Sequence, residues 1–331
     1  MDTPQWNAGS LIELSGMYWK TCSLHAAVKL DVFSAIGDNR LTAEELAASL
    51  GCSLRGMEML LNAVAAMGLL VKEDEAFANR PSVRPYLSRD GDHYIGSMIL
   101  HHRQLVPSWA SLDRSVQTGK PARERASSGE EEWRENFLMG MFNTAMQIAP
   151  RLVPAIDLDG RRNLLDLGGG PGTYAVHFCR HNPGLSATVF DLPTSRPFAE
   201  KVILDFGLSH RISFKEGNFL EDDLGTGYDA AWLSHILHAE GPEDCCRILS
   251  RVVEALHPGG AILVHEFILD NDMAGPIFPA LFSLNMLLGT PGGRSYSERQ
   301  LGEMLHGAGV KDIRRIPFEG PTRSGVLAGT L

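Results

Sequence analysis

The segment Asp166-Leu167-Gly168-Gly169-Gly170-Pro171-Gly172 constrains the chain most, because it stands between the apolar run NLLDL, from Asn163 to Leu167, and a helical stretch from Tyr174 to His181. Glycines at such a junction let the backbone turn tightly and let a ligand approach it closely. In open parallel sheets this is where nucleotides bind. Downstream, apolar runs alternate with helical stretches: ATVFDL, Arg196 to Phe206, ISFKEGNF, YDAAWLSHIL, Pro242 to Leu256 and AILVHEFIL. A helix from Ser297 to Ala308 and a strand pair near Asp312–Pro317 and Gly325–Thr330 follow. Strand alternating with helix predicts an α/β domain, a parallel sheet with helices on both faces.

The glycine spacing narrows the ligand. Gly168, Gly170 and Gly172 form GxGxG, whereas the dinucleotide fingerprint needs a glycine where Thr173 stands. An adenosyl amino acid is therefore favoured over a pyrophosphate. Asp191 ends the second strand about twenty residues beyond the turn, the place for an acid that accepts hydrogen bonds from ribose hydroxyls. The third strand runs into Asn218 and Phe219, an amide for an adenine edge and a ring for its face.

Upstream, apolar positions recur at helical spacing from Leu11 to Gly37. Thr42 with Glu45 reads as a capping box opening a helix from Ala43 to Leu50. A second helix, Leu54 to Met67, leads into a small hairpin around KEDE, which completes a winged-helix pattern. From Met1 to Asp90 acidic residues outnumber basic ones by eleven to eight, and the whole chain carries a formal charge of −10, so a nucleic-acid partner is not expected. The region Tyr94 to Ile156 reads as mainly helical, with an exposed polar loop from Gly119 to Glu132. After it comes a methionine- and phenylalanine-rich stripe, in which Met141, Phe142 and Met146 are candidates to line an apolar acceptor pocket. The expected organisation is a helical winged-helix-like domain over 1–118, linking helices over 119–156 and a Rossmann-like domain over 157–331. The five cysteines form no CxxC pair, and no long apolar run or basic leader occurs, so a cytoplasmic protein with no membrane partner is expected.

Of twelve histidines, His238 in LSHILHAE follows the fourth strand at the ligand-binding edge, with His235 three residues earlier. Glu266 ends the next strand, AILVHEF, and a carboxylate there needs a partner.

With LLDLGGGPGTYA, ATVFDLP, EGNFLEDD, LSHILHAEGPEDCCRIL, LHPGGAILVHEFIL and GGRSYSERQLGEML, the chain resembles, over nearly its whole length, the plant-type O-methyltransferases that include caffeate, acetylserotonin and bacterial antibiotic enzymes. The resemblance implies a class I methyltransferase domain behind a winged-helix dimerisation domain, and a homodimer joined through its N-terminal helices. It implies S-adenosyl-L-methionine as cofactor, S-adenosyl-L-homocysteine as product and no metal. The acceptor it implies is a small, aromatic or polyketide-like molecule of secondary metabolism, methylated on a hydroxyl. His238 matches the family's general base, with His235 the alternative, and Glu266 matches the acid beside it. Asp166, Gly168, Gly170, Asp191, Leu192, Asn218, Phe219 and Ser234 are the expected cofactor contacts. Met141, Phe142, Met146, His235, Asn285 and Met286 are the expected acceptor contacts.

The pattern is departed from in three places: Ala239-Glu240 stand where aspartate and tryptophan are usual, Asn218 replaces an aspartate, and Ser295 replaces a second catalytic glutamate. Two other readings compete. One keeps the cofactor but changes the chemistry to a decarboxylase or hydroxylase type. The other is a cofactor-sensing DNA-binding regulator.

Overall fold

A computed structural model describes residues 6–125, 127, 129–318, 320, 322 and 324–331. The chain divides into two compact units, Met1–Leu105 and Val106–Leu331.

In the first unit the helical pattern after Leu11 resolves into α1 (Ala8–Ser15), α2 (Tyr18–Lys29) and α3 (Val32–Ile36). One break falls at Gly16–Met17, the other where Asp31 takes a left-handed φ of 61°. Strand β1 (Leu41–Thr42) runs into α4 (Ala43–Ser49) through the expected capping box: the Glu45 N–H donates to the Thr42 hydroxyl at 3.2 Å and the Thr42 N–H to the Glu45 carboxylate at 2.8 Å. Helix α5 (Leu54–Ala66) precedes the antiparallel hairpin β2 (Leu70–Glu73) and β3 (Ala76–Asn79), and β1 joins its outer edge. Phe33, Leu46, Met57 and Leu61 anchor this unit's core. Helix α1 buries none of its residues and, with α2, exposes Leu11, Ile12, Leu14, Tyr18 and Trp19. Short helix α6 (Arg84–Leu87) and helix α7 (Gly96–Trp109) follow.

The second unit begins at Val106, within α7, and continues with α8 (Leu112–Thr118) and the long α9 (Glu131–Leu152). Then come β4 (Asn163–Leu167), α10 (Thr173–His181), β5 (Ser186–Asp191), α11 (Arg196–Asp205), β6 (Ile212–Glu216) and β7 (Tyr228–Ser234). Helix α12 (Pro242–Ala255), β8 (Leu256–Phe267), α13 (Ile277–Gly289), α14 (Glu298–Gly307), β9 (Lys311–Ile316) and β10 (Ser324–Thr330) complete it. The seven strands lie in the order β6-β5-β4-β7-β8-β10-β9. The first five are parallel, and β10 runs antiparallel to both its neighbours. Strand order reverses at β4, so the crevice beyond the carboxyl ends of β4 and β7 is the place for a ligand.

Strand β7 shows why the sheet is buried on both faces. From Ala230 on, Ala230 and Trp232 enter one core while Ala231 and Leu233 enter the other, the period-two alternation of a strand; Tyr228, before a shift in register, joins the second core. Trp232 is fully buried, its ring 5.1 Å from both Tyr174 and Phe178 of α10. No helix among the described residues is long and apolar enough to cross a membrane. Replacing Trp232 with alanine should empty the centre of this core and lower stability by about 3–5 kcal/mol; urea unfolding followed by far-UV circular dichroism measures the loss.

Candidate active site

The turn after β4 is built on backbone that only glycine adopts readily. Gly168, Gly170 and Gly172 have φ of 62°, 53° and 72°. A methyl group on Gly168 would stand 2.2 Å from Ile236 Cδ1, with the Phe219 ring 3.7 Å away. Gly170 donates its N–H to Asp191 Oδ2 at 2.7 Å, while Leu192 N–H and the Ser195 hydroxyl donate to Oδ1 at 2.6 and 3.0 Å. Three of about four acceptor positions on Asp191 are thereby used, leaving one free.

Asp166 lies on the α10 side of β4, where an apolar residue would be ordinary. It is almost fully buried and accepts one hydrogen bond, from Ala175 N–H at 3.2 Å. Among the described residues no cation pairs with it. Burial pushes its carboxyl up to about 7, and the charge of Asp191 adds to the rise. The buried hydroxyl of Thr173, at the start of α10, also has no hydrogen-bond partner among the described residues. A narrow glycine cradle, an uncompensated carboxylate and an unused hydroxyl fit a ligand that is cationic at its amino-acid end, as S-adenosylmethionine is.

Beyond β7 the chain makes a 3-10 turn, Leu237–Ala239, which carries His238 over the end of neighbouring β8. There His238 Nδ1 lies 2.7 Å from Glu266 Oε2, and the His238 N–H donates to Oε1 at 3.2 Å. Both side chains are buried. Burial alone would raise Glu266; the attraction of His238, then of the nearby His235, outweighs it and holds the carboxyl well below the usual range.

His235 has a left-handed φ of 59°, and its N–H donates to His265 O at 2.8 Å. Its Nδ1 is 3.7 Å from Glu266, too long for a hydrogen bond. Burial lowers its proton affinity. His235, His238 and Glu266 each offer a ligand atom within 4.8 Å of the others, a donor set that zinc accepts. The 2.7 Å contact is shorter than the roughly 3.3 Å between ligands around one tetrahedral zinc, so the arrangement seen is a hydrogen-bonded pair. Phe267 and Phe282 wall it: the Phe282 ring is edge-on to His238 at 4.8 Å and Phe267 lies 4.2 Å from His235.

The three departures have structural explanations. Glu240 turns away from the histidine and takes Arg125 in a bidentate pair at 2.5 and 2.9 Å, while Arg125 also donates to Ala239 O at 3.2 Å. Ser295 donates its hydroxyl to Pro279 O at 2.8 Å, pinning the start of α13. Asn218 uses its side-chain oxygen to accept from Leu220 N–H at 3.0 Å, an Asx turn that leaves only its NH₂ free.

Asp166, Gly168, Gly170, Asp191, Leu192 and Phe219 gather at the turn; Ser234 shares a hydrogen bond of 2.9 Å with His265 Nδ1 behind it. Asn285 lies on α13 with its amide oxygen on Arg123, Met286 is buried on the same helix, and Met141 is half-buried on α9. Phe142 packs on the main core, in line with Leu138, Ala145 and Ala149 at helical spacing, and Met146 Sδ lies 3.4 Å from His177 Nε2 on α10. Most described residues of the polar segment expected as an exposed loop are exposed, but it is tied at one point: the N–H groups of Ala122 and Arg123 bond to Leu288 O, and the Arg123 and Arg125 side chains are half-buried. Phe267, Phe282, Arg123 and Arg125 were missed in the sequence. Phe267 could have been found as the neighbour of Glu266; the arginines carry no such signal.

Residues 12–89 match the O-methyltransferase dimerisation domain and residues 117–311 the O-methyltransferase domain. The chain is 34% identical to the 3-hydroxy-5-methyl-1-naphthoate 3-O-methyltransferase of Streptomyces sahachiroi, over 96% of this chain and 94% of that protein. It is 32% identical to the tetracenomycin polyketide synthesis 8-O-methyl transferase of Streptomyces glaucescens, over 95% and 94%. The solved structure of human N-acetylserotonin methyltransferase in complex with SAM superposes with a TM-score of 0.87 at 26% identity, covering 100% of this chain and 99% of that one. With both domains matched in order and the glycine cradle in place, the chain belongs to the S-adenosylmethionine-dependent O-methyltransferase family.

Proposed function

We propose that this enzyme methylates a hydroxyl on an aromatic, polyketide-type acceptor, with His238 as general base and Glu266 as the residue that orients it. The observation that carries the reading is the buried 2.7 Å contact between His238 Nδ1 and Glu266 at the ligand-binding edge of the sheet. The naphthoate and tetracenomycin relatives supply the acceptor class.

Gly168, Gly170, Asp191, Leu192, Phe219, Ser234 and the NH₂ of Asn218 hold the nucleoside part of the cofactor, and Asp166 faces its cationic end. When bound, S-adenosylmethionine supplies an electrophilic methyl on a sulfonium. The chain's own task is then to hold the acceptor in line and remove one proton. An ionised Glu266 accepts Nδ1–H from His238, which leaves Nε2 with the lone pair. Full transfer of a phenol proton to imidazole beforehand is uphill by about 5 kcal/mol. Removal as the new bond forms avoids that barrier, and the carboxylate stabilises the imidazolium produced. His235 is the poorer base, because burial disfavours its charged form and Glu266 is farther from it. Phe267, Phe282, Asn285, Met286 and Met141 line the acceptor side. The exposed apolar residues of α1 and α2 form the homodimer surface.

His238→Ala should leave S-adenosylhomocysteine binding intact and slow single-turnover transfer of a labelled methyl group by at least tenfold. An unchanged rate removes His238 from the mechanism, and acceptor turnover without label transfer overturns the reaction assigned.

Asp166 makes cofactor binding depend on pH. Its folded value of about 7 exceeds the ordinary carboxylate value, so in the ligand-free protein its contribution to stability is complete in acid and is lost as pH rises through 7. A cationic ligand draws the carboxyl down and expels the proton. S-adenosylmethionine, whose sulfonium and ammonium outweigh its one carboxylate, should therefore bind more tightly as pH rises from roughly 5.5 to 8. Asp166→Asn should weaken binding and flatten that profile. Calorimetric titration across this range is the measurement, and a flat wild-type profile would exclude the role.

A further inference from the structure

Arg123 and Arg125 leave the same short segment and meet different surroundings. Arg125 is neutralised by both oxygens of Glu240. Arg123 has no carboxylate partner among the described residues. Its Nη2 donates to Asn285 O and Oδ1 at 3.2 and 3.0 Å, its Nη1 lies a weak 3.4 Å from Glu124 O, and its Nε–H is buried with no acceptor. Burial without a counter-charge lowers its proton affinity. The fold nevertheless makes room for it: a methyl on Gly289 would stand 2.4 Å from Nη1 and 2.5 Å from Cζ.

Asn285 and Gly289 share a face of α13 with Phe278 and Phe282, at spacings of four, three and four residues. The Phe282 ring touches His238. Asn285 follows one helical turn later, about 4.5 Å along the axis. The guanidinium is thus held at Asn285 and Gly289, about one to two turns along α13 from the phenylalanine that meets the base.

We propose that Arg123 is the specificity-determining contact for an acceptor carrying a carboxylate on its aromatic system, binding that carboxylate while the reacting hydroxyl lies at His238. A carboxylate supplies the two acceptors and the negative charge that the protein withholds. The inference rests on the hydroxyl-acceptor reading above. The competing role is purely structural, since a cation beside the last carbonyls of α13 also caps that helix.

The test uses a matched pair, 3-hydroxy-1-naphthoate and 2-naphthol, binding to enzyme saturated with S-adenosylhomocysteine. Wild type should bind the carboxylate probe at least about tenfold more tightly. Arg123→Gln should abolish the difference by weakening only that probe. Gly289→Ala keeps the charge and favours the helix, yet displaces the guanidinium, and should do the same. No preference in wild type, or equal weakening of both probes in the variants, overturns the proposal. Labelled methyl transfer to the two probes is measured separately: a carboxylate preference without transfer leaves Arg123 standing and overturns the reaction, and transfer without preference does the reverse.

Discussion

A carboxylate at the buried end of a sheet strand persists only where something compensates its lost hydration. Glu266 is compensated by His238, and that contact governs the site's design. It depends on the register of β7 and β8, which sets Ser234 against His265 and so places the turn after β7 above Glu266. It depends also on backbone that can turn there, with His235 held in a left-handed conformation and Gly293 so close to His238 O that a methyl would stand 2.5 Å from it. Ser295 and Arg125 act at one remove, the first fastening α13 and its phenylalanines, the second fastening the turn itself. Glu240 and Ser295, two of the residues that depart from the pattern, thus serve as structural ties.

Much of this was legible in the sequence, for specific reasons. The unbroken apolar run AAWL in YDAAWLS marks a strand buried on both faces, and glycines between a strand and a helix mark a turn that only glycine accommodates. Thr42 and Glu45 announce a helix start because the capping interaction is local. His238 and Glu266 stood out because each follows or ends a strand where the topology gathers ligands. The less legible parts were those decided by long-range contact. The helical pattern after Leu11 gives no sign of where it breaks, since a non-glycine residue, Asp31, supplies the left-handed turn. The stripe on α9 is apolar on more than one face, so periodicity alone does not separate Met141 from Phe142 in the core or Met146 against His177. Arg123 and Arg125 lie in a polar stretch whose composition reads as solvent-exposed. Their partners, Asn285 and Glu240, are more than a hundred residues away.

Two carboxylates and two arginines summarise the electrostatics of the second unit. Glu266 and Arg125 have partners within the chain, His238 at 2.7 Å and Glu240 at 2.5 Å, and both contacts hold the turn after β7 in place. Asp166 and Arg123 have none among the described residues, and each occupies a space kept open by glycine. A folded protein tolerates such groups at a penalty, and a ligand of the opposite sign relieves it. The sign of each group then selects its ligand. The carboxylate beside the glycine turn calls for a cation, which the amino-acid end of the cofactor provides, and the guanidinium along the aromatic wall calls for an anion. On the reading proposed above, Asp166 in β4 and Arg123 against α13 leave opposite charges for the two substrates to answer.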